Sequence, residues 1–266
     1  MDVYESVNRS WWDERGGAHA TAPHYQGDRL VADLQAISSI VRYDRPRLGD
    51  LHGVRDVHLQ CHIGTDTISL SRLGARMSGL DFSAGSLEQA RQLAERAGVE
   101  VDFVEADVYD ALGVLEPAGF DLVYTNIGAL QYLPDIHRWG AVVAGLLREG
   151  GRLFLRETHP VLWALREPAD GGTALLIDGA YFERPEPTQY DRSGSYARFE
   201  AEFVSNTCYE WNHGLGEIVT GLLDAGLQLT ELTDHDTMPG RALPDMQDVG
   251  DGEYRLIDRP WRLPLT

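Results

Sequence analysis

The stretch of sequence that decides the fold reads Val57-His58-Leu59-Gln60-Cys61-His62-Ile63-Gly64-Thr65-Asp66. Val57 to Cys61 is an apolar-rich run and predicts a first β-strand. Gly64 marks a turn, and the helix expected after it places Ile68 and Leu73 on its inner face. A strand, a tight turn and a helix in direct succession are typical of the start of a parallel α/β sheet.

The same unit repeats through the middle of the chain. Further strands are predicted over Arg76–Leu80, Val99–Glu105, Phe120–Tyr124 and Arg152–Glu157. Amphipathic helical patterns separate most of these runs, and consecutive βα units predict a doubly wound α/β sheet.

Two of the helices carry clear end signals. The helix after the second strand is expected to begin with a capping box of Ser86 and Gln89 and to end at Gly98. The helix after the fourth strand is expected to end at Gly150-Gly151. Its apolar face consists of Ile136, Trp139, Val142, Val143, Leu146 and Leu147.

The flanking segments do not alternate in this way. We expect one domain over residues 1–266, divided into a helical N-terminal cap (1–50), a cofactor-binding core (51–157), a lid insertion (158–213) and a C-terminal part (214–266). A structureless insertion of this length is improbable, so Thr173–Phe182 and Ala197–Trp211 are predicted to form a β-pair within it. The last segment is predicted to contain a helix over Gly214–Ala225, a strand over Leu227–Leu232 and a short final strand over Arg262–Thr266.

Composition narrows the class of partner. The net charge of the 266-residue chain is −19, every basic residue is arginine, and no arginine-rich run occurs, so nucleic acid and anionic membranes are poor partners. No apolar run is long enough to span a membrane, and the acidic start of the chain is unlike a signal peptide, so a cytoplasmic protein is expected. Cys61 and Cys208 have neither disulfide-framework nor metal-type spacing, and no metal is expected. A small neutral or cationic molecule fits this charge best.

The candidate cofactor site follows from the topology, because open α/β sheets bind cofactors at the carboxyl ends of their strands. Asp81 is placed to accept from two ribose hydroxyls, Phe82 to pack on an adenine face, and Asp107 to accept from the adenine amine. Gly64 is expected to let the backbone approach the ligand. Each aspartate taken alone is as readily explained as a helix N-cap. The cofactor candidates are Gln60, Cys61, His62, Gly64, Asp81, Phe82, Ser83, Asp107, Val108, Asn126, Ile127 and Gly128.

These motifs resemble those of class I S-adenosylmethionine-dependent methyltransferases over residues 50–157. The resemblance rests on Val57–Thr65, Leu80–Ser83, Glu105–Val108, Phe120–Tyr124 and Leu146–Leu153, and the early Trp11-Trp12-Asp13-Glu14 resembles a segment that often precedes this fold. It implies a Rossmann-like sheet of seven strands, the last antiparallel, with S-adenosylmethionine as cofactor and S-adenosylhomocysteine as product.

One loop departs from the family pattern. The acid and the first two glycines of the usual Asp/Glu-x-Gly-x-Gly-x-Gly are replaced here by His58, Gln60 and His62, and Gly64 alone is kept. A subset of bacterial relatives shows a similar Leu-Gln-Cys-His loop. The missing GxGxxG pattern also argues against a dinucleotide-binding enzyme.

The resemblance implies direct methyl transfer to N, O or S of a small molecule, with an aromatic or heterocyclic specialised metabolite as the expected acceptor. His159 and His213 are candidate general bases, and a structural or substrate-orienting role is an equal alternative for both. Candidate pocket residues are the aromatic side chains Tyr4, Trp11, Trp12, Tyr25, Trp163, Tyr181 and Trp211. A homodimer is compatible with the sequence. Two other functions stay open: an enzyme that uses the same cofactor for a transfer other than methylation, and a non-catalytic cofactor-binding module.

Overall fold

The computed structural model describes residues 3–166, 174–195 and 202–266, and these separate into two compact units built from interleaved segments. The first unit contains Met1–Thr125, Gly145–Leu155 and Thr188–Glu210, and the second contains Asn126–Ala144, Arg156–Pro187 and Trp211–Thr266. The predicted boundaries at 50, 157 and 213 do not coincide with these segments. The predicted insertion 158–213 supplies residues to both units.

The centre of the first unit is a five-stranded sheet in the order β3-β2-β1-β4-β5. The pairs β1–β2, β2–β3 and β1–β4 are all parallel. The strands are β1 (Arg55–Leu59), β2 (Arg76–Asp81), β3 (Asp102–Glu105), β4 (Phe120–Asn126) and β5 (Leu147–Arg156). This order is that of a doubly wound sheet with its switch point between β1 and β4.

Helices alternate with these strands, and the N-terminal segment is helical as predicted. They are α1 (Val3–Thr21), α2 (Gly27–Ala32), α3 (Ser39–Leu48), α4 (Thr65–Arg72), α5 (Ala84–Ala97), α6 (Ala111–Val114), α7 (Ile136–Leu146) and α8 (Leu215–Asp224). The predicted apolar face of α7 is buried throughout. Helix α8 lies within the predicted helix Gly214–Ala225, and Gly214 is its N-cap.

Two predicted helix ends are wrong. The N-cap of α5 is Ser83, three residues before the predicted Ser86, because the Ser83 hydroxyl accepts the Ser86 N–H. The C-terminal cap at Gly98 is confirmed, with a left-handed φ of 64°. Helix α7 ends at Leu146, and Gly150-Gly151 lies within β5, where Gly150 adopts φ 76°.

The later strands form small separate sheets. Within 158–213, β6 (Leu165–Arg166) pairs with β7 (Leu176–Ile177), and β8 (Thr188–Asp191) pairs with β9 (Thr207–Glu210). The predicted single β-pair is therefore replaced by two hairpins, and its residues 173 and 197–201 lie outside the described part of the chain. In the second unit, β10 (Met238–Pro239), β12 (Glu253–Leu256) and β11 (Met246–Gly250) form a three-stranded antiparallel sheet.

Two predicted C-terminal strands are absent from the described structure. Leu227–Leu232 forms no strand, and Leu229 and Leu232 are exposed, so their apolar spacing does not mark a buried face. Pro260–Arg262 forms a 3-10 turn instead of the start of a strand. Farther on, Leu265 accepts from the backbone of His159 and donates to that of His235, so this end of the chain still takes part in strand-like hydrogen bonding.

Candidate functional site

In the loop between β1 and α4, two residues that are not glycine have φ angles that glycine favours. Gln60 and His62 have φ angles of 58° and 49°, in the left-handed region, and Gly64 has 73°. The Cys61 N–H donates to the Leu80 carbonyl at 3.0 Å, which fixes the loop to the end of β2. Non-glycine residues adopt this region at a cost, so their replacement of glycine leaves the turn geometry but adds strain.

The packing around Gly64 leaves no room for a side chain. A Cβ placed on it would lie 2.9 Å from the Phe103 ring and 3.0 Å from the Ala90 side chain. Its backbone therefore approaches β3 and α5 closely, and the expectation that it also lets the backbone approach a ligand stays a prediction. The positive φ of Gly64 adds a second requirement for glycine.

Asp81 is the last residue of β2, and its side chain is buried. One carboxylate oxygen accepts the His62 N–H at 2.8 Å and the other accepts the Ser83 N–H at 2.9 Å. Burial raises the pKa of Asp81 to about 6, against the opposing effect of these backbone donors. An ionised carboxylate can accept about four hydrogen bonds, so these backbone donors do not use up its acceptor capacity. A carboxylate at the sheet edge that can accept further hydrogen bonds fits the ribose of an adenosine cofactor.

The N-cap alternative holds for one of the two aspartates. Asp107 caps the 3-10 turn Val108–Asp110, and its carboxylate accepts the Tyr109 N–H at 2.8 Å. For α5 the cap is the Ser83 hydroxyl and not Asp81. The Ser83 hydroxyl also donates to Asp13 at 2.7 Å, so it is engaged on both sides.

The remaining candidates of the first unit differ in exposure. The thiol of Cys61 packs in the apolar cluster around Phe103, and burial raises its pKa well above the ordinary value. Val108 is also buried, whereas Gln60 and Phe82 are partly exposed. Arg9 of α1 lies 5.5 Å from the centre of the Phe82 ring.

Asn126 is the last residue of β4, Ile127 and Gly128 follow it, and all three belong to the second unit. Sequence reasoning missed Glu157, which fixes this turn. Its carboxylate accepts the backbone N–H groups of Gly128, Ala129, Leu130 and Thr158 at 2.5–3.0 Å. Burial raises the pKa of Glu157 in spite of these donors.

Both ring nitrogens of His213 are engaged by protein oxygens. Its Nδ1 lies 2.7 Å from the Glu183 carboxylate and its Nε2 lies 2.7 Å from the Leu133 carbonyl. The adjacent Asn212 donates to the carbonyls of Pro160 and Ala180. This motif joins three segments of the second unit, which favours the structural alternative for His213.

His159 is partly buried and caps a 3-10 turn. Its Nδ1 accepts the Val161 N–H at 3.2 Å, which leaves the proton on Nε2. Nε2 lies 4.0 Å from Asp234, and burial lowers the pKa of the ring. A base role would require this ring to exchange its hydrogen-bond partners.

The aromatic candidates of the first unit gather around α1. Trp11 is 2% exposed and stacks on Arg15, so it is a core residue. Trp12 contacts the rings of His19 and His62 edge-on. Tyr25 contacts the same two histidines, and Tyr4 packs on Tyr209.

The aromatic candidates of the second unit make ordinary structural contacts. Tyr181 accepts the Leu215 N–H through its hydroxyl at 3.2 Å. Trp211 is 5% exposed, and its backbone N–H donates to Gln131. Trp163 lies in the 3-10 turn Pro160–Ala164.

Three polar residues of α1 are also central, and sequence reasoning missed them. Asp13 accepts from the Ser83 hydroxyl and the Gly85 N–H. Arg15, fully buried, donates to the carbonyls of Trp11, Arg192, Gly194 and Ser205. His19 joins the first loop through His62. The Trp-Trp-Asp-Glu stretch was a signal for this region, but only its aromatic residues were predicted to form part of the site, and Asp13 was not.

A parallel sheet of order 3-2-1-4-5 with a buried acid at the end of its second strand is typical of α/β proteins that bind a nucleoside-containing cofactor. Comparison with known proteins identifies the class further. Residues 57–151 match the family described as "Methyltransferase domain". A ubiquinone biosynthesis O-methyltransferase of Xanthomonas euvesicatoria pv. vesicatoria is 30% identical over 237 residues, 88% of this chain and 82% of that protein. That of Xanthomonas oryzae pv. oryzae is 29% identical over 79% of this chain and 84% of its own.

Solved structures agree on the fold. An S-adenosylmethionine-dependent methyltransferase from Mesorhizobium loti superposes with a TM-score of 0.57 at 23% identity, covering 76% of this chain and 87% of that one. A putative one from Listeria monocytogenes gives 0.59 at 18% identity, covering 74% and 88%. The chain belongs to the class I S-adenosylmethionine-dependent methyltransferases, and it is an enzyme that uses S-adenosylmethionine. Among the described residues, no helix is both long and apolar enough to cross a membrane.

Proposed function

We propose that this enzyme methylates a hydroxyl oxygen of a small aromatic molecule. The observation that carries the proposal is the similarity to a ubiquinone biosynthesis O-methyltransferase over 88% of the chain. The net charge of −19 supports a neutral or cationic acceptor over a nucleic acid. A ring that bears a phenolic hydroxyl satisfies both conditions.

The proposed cofactor contacts follow from the carboxyl ends of the strands. Asp81 accepts from the ribose hydroxyls, Asp107 from the adenine amine, and Phe82 packs on the base. The backbone of residues 60–64 faces the methionine part. When bound, S-adenosylmethionine supplies an electrophilic methyl group on its sulfonium.

The protein's own contribution is to orient the acceptor and to exclude water. Holding the acceptor oxygen in line with the methyl–sulfur bond can supply about 7–11 kcal/mol of the barrier. Both ring nitrogens of His213 are engaged by protein oxygens, and Nδ1 of His159 is engaged by a backbone N–H. We therefore propose that orientation carries most of the rate and that His213 holds its unit together. His159 stays the candidate base.

Three further expectations belong to this proposal. Two more strands extend the sheet to seven, part of 158–213 covers the acceptor as a lid, and the enzyme forms a homodimer. The hydrogen bonds from Leu265 to His159 and His235 support added strand pairing at the C-terminus. Crosslinking or light scattering of the purified chain tests the dimer directly.

The proposed function is tested by the atom that receives the methyl group. The purified enzyme is incubated with isotope-labelled S-adenosylmethionine and a panel of acceptors that share one aromatic ring and differ only in a hydroxyl, amino or thiol substituent. Label transferred to the hydroxyl compounds alone supports the proposal. Transfer to the amine or thiol alone contradicts it and redirects the search to N- or S-methylation.

The two histidines are separated by the same assay. His159→Gln is expected to lower kcat on a hydroxyl acceptor about 10²-fold or more if the ring removes the proton. His213→Gln is expected to lower the thermal unfolding midpoint instead. Equal kcat for His159→Gln and wild type at all pH values removes His159 from the mechanism.

A further inference from the structure

His19 of α1 and His62 of the first loop form a direct hydrogen bond. Nδ1 of His19 lies 2.7 Å from Nε2 of His62, and the rings meet edge-on. His19 is fully buried and His62 partly so. Burial lowers the pKa of His19 to about 3 and that of His62 well below its ordinary value, so two neutral rings share this bond at neutral pH.

His62 occupies a position where a side chain is a conformational disadvantage. Its φ of 49° is left-handed, and such a residue persists only where its surroundings hold it. Three hydrogen bonds do so: its N–H donates to Asp81 at 2.8 Å, Nδ1 meets the Ser86 hydroxyl at 3.0 Å, and Nε2 meets His19. A side chain makes this φ angle unfavourable, but the His62 ring also forms two of the three hydrogen bonds that stabilise it.

The other end of the bond is held firmly, because α1 is docked on α5. Asp13 accepts the Gly85 N–H at 3.0 Å and the Ser83 hydroxyl at 2.7 Å. The two helices touch at Gly16 and Gly85: a Cβ on Gly16 would lie 2.9 Å from the backbone of Gly85, and one on Gly85 would lie 2.4 Å from that of Asp13. His19 is therefore a fixed point relative to the residues after β2.

We propose that His19 is a positioning residue of the cofactor site, which acts through His62 to hold residues 60–64 in the conformation that binds the cofactor. Glycine would adopt this φ angle without strain, whereas at His62 the hydrogen bond to His19 stabilises the angle. The inference rests on the proposed cofactor site. It extends that site to α1, so the affinity for the cofactor depends on a side chain 43 residues away in sequence.

In both histidines, the choice of substitution decides which ring nitrogen's hydrogen bond is kept and which is removed. The amide of asparagine reaches the place of a histidine Nδ1, and the amide of glutamine that of Nε2. His19→Asn keeps the bond to His62, whereas His19→Gln keeps only the bond from Nε2 to the Ser195 hydroxyl, 2.6 Å in the wild type. In His62, glutamine keeps the bond to His19 and asparagine keeps that to Ser86.

Calorimetric titration with S-adenosylhomocysteine measures the effect on each folded variant. His19→Gln and His62→Asn are expected to raise Kd about five- to tenfold, the worth of one hydrogen bond. His19→Asn and Ser195→Ala are expected to bind as the wild type does, and His62→Gln is expected to bind more tightly than His62→Asn. A purely structural role would lower the unfolding midpoint and leave the Kd of the folded protein unchanged.

Two results overturn the inference. One is an unchanged Kd in both His19→Gln and His62→Asn. The other is an equal loss of cofactor affinity in His19→Gln and His19→Asn, or in His62→Asn and His62→Gln. That result would show that the hydrogen bond between the two histidines does not determine the affinity. Asp81→Ala tests the proposed cofactor site separately from the inference. Cofactor binding that survives Asp81→Ala refutes the proposed site. Binding that is lost in Asp81→Ala but unchanged in His19→Gln and His62→Asn refutes only the role of His19.

Discussion

At the scale of single residues, the first loop has left-handed backbone angles at two positions that are not glycine. Gln60 and His62 adopt the left-handed angles that glycine favours. The sequence revealed the substitution but not its outcome, because the contacts that stabilise His62 come from Ser86 and from α1. Residue patterns report local preference, and these contacts are distant in sequence.

Asp81 gives a pH prediction at this scale. Ribose hydroxyls donate to a carboxylate, so binding requires the ionised form, and the raised pKa of about 6 places the change near neutrality. The affinity for S-adenosylhomocysteine is expected to be full above pH 7 and to fall about tenfold per pH unit below pH 6. Calorimetry from pH 5 to 8 measures this.

The matched variant is Asp81→Asn, which cannot ionise. Its affinity is expected to be lower than that of the wild type at pH 7.5 and flat across the range. A wild-type affinity that does not change between pH 8 and pH 5 would show that Asp81 does not carry the interaction.

At the scale of elements, the strand and helix pattern of the core was predictable because each element carries its own period of apolar residues. All five central strands were predicted, with ends that differ by a few residues. Leu227–Leu232 shows where this reasoning fails: its apolar spacing is strand-like, but tertiary structure leaves it exposed. Strand β8 was not predicted, and Ala197–Trp211, which contains β9, was predicted to pair with Thr173–Phe182, because a local pattern does not specify which strands pair.

Arg15 is the side chain that holds the β8–β9 hairpin to α1. Its guanidinium donates to three carbonyls of the hairpin from a fully buried position. Arg15→Lys is expected to lower the free energy of unfolding by about 2–4 kcal/mol, because lysine lacks the planar fork and leaves buried carbonyls without donors.

Urea denaturation measures this loss, and Arg29→Lys at an exposed site of α2 is the control, with a change below about 0.5 kcal/mol. Equal stability of the two variants would show that the buried guanidinium is not the anchor.

Glu157 gives the corresponding prediction for the turn after β4. Each of its carboxylate oxygens accepts two backbone N–H groups. Glu157→Gln places an NH₂ group against two of these donors, so a loss of about 2–3 kcal/mol in unfolding free energy is expected by urea denaturation. Glu149→Gln, at an exposed position of β5, is the matched control, and a Glu157→Gln loss no larger than the control's would contradict this role of Glu157.

At the scale of the whole molecule, the two units are built from segments that interleave along the chain. No composition shift marks their boundaries, so the sequence suggested one domain with an insertion. The polar contacts of Asp13, Arg15 and His19 likewise join distant segments. They were not predictable from one sequence, because hydrogen-bond partners far along the chain leave no local pattern.

Buried neutral histidine has a consequence for the stability of the whole chain in acid. The pKa of His19 is about 3 when folded and about 6.5 when unfolded, so the unfolded chain takes up the proton first. This contribution to stability is complete above pH 6.5 and is lost as the pH falls toward 3, by about 1.4 kcal/mol at pH 5.5. Asp81 has the opposite sign between pH 6 and 3.8, because its folded pKa is raised.

Comparison with His19→Asn isolates the histidine, since Asp81 is common to both proteins. The stability difference between wild type and variant, measured by urea denaturation, is expected to shift by about 1.4 kcal/mol in favour of the variant from pH 7.5 to 5.5. A difference that stays constant would show that His19 is not held neutral by burial.

The central claim is that the cofactor binds at the carboxyl edge of the first unit's sheet, with Asp81 as its main acceptor. The most direct measurement is calorimetric titration of wild type, Asp81→Ala and Asp102→Ala with S-adenosylhomocysteine at pH 7.5. Asp102 is an exposed carboxylate at the amino end of β3, and its removal is a matched loss of charge on the same sheet. The account predicts binding by wild type and Asp102→Ala and at least a hundredfold weaker binding by Asp81→Ala, since hydrogen bonds to a charged group are worth about 1.5–3 kcal/mol each. Equal affinities of all three proteins would contradict it.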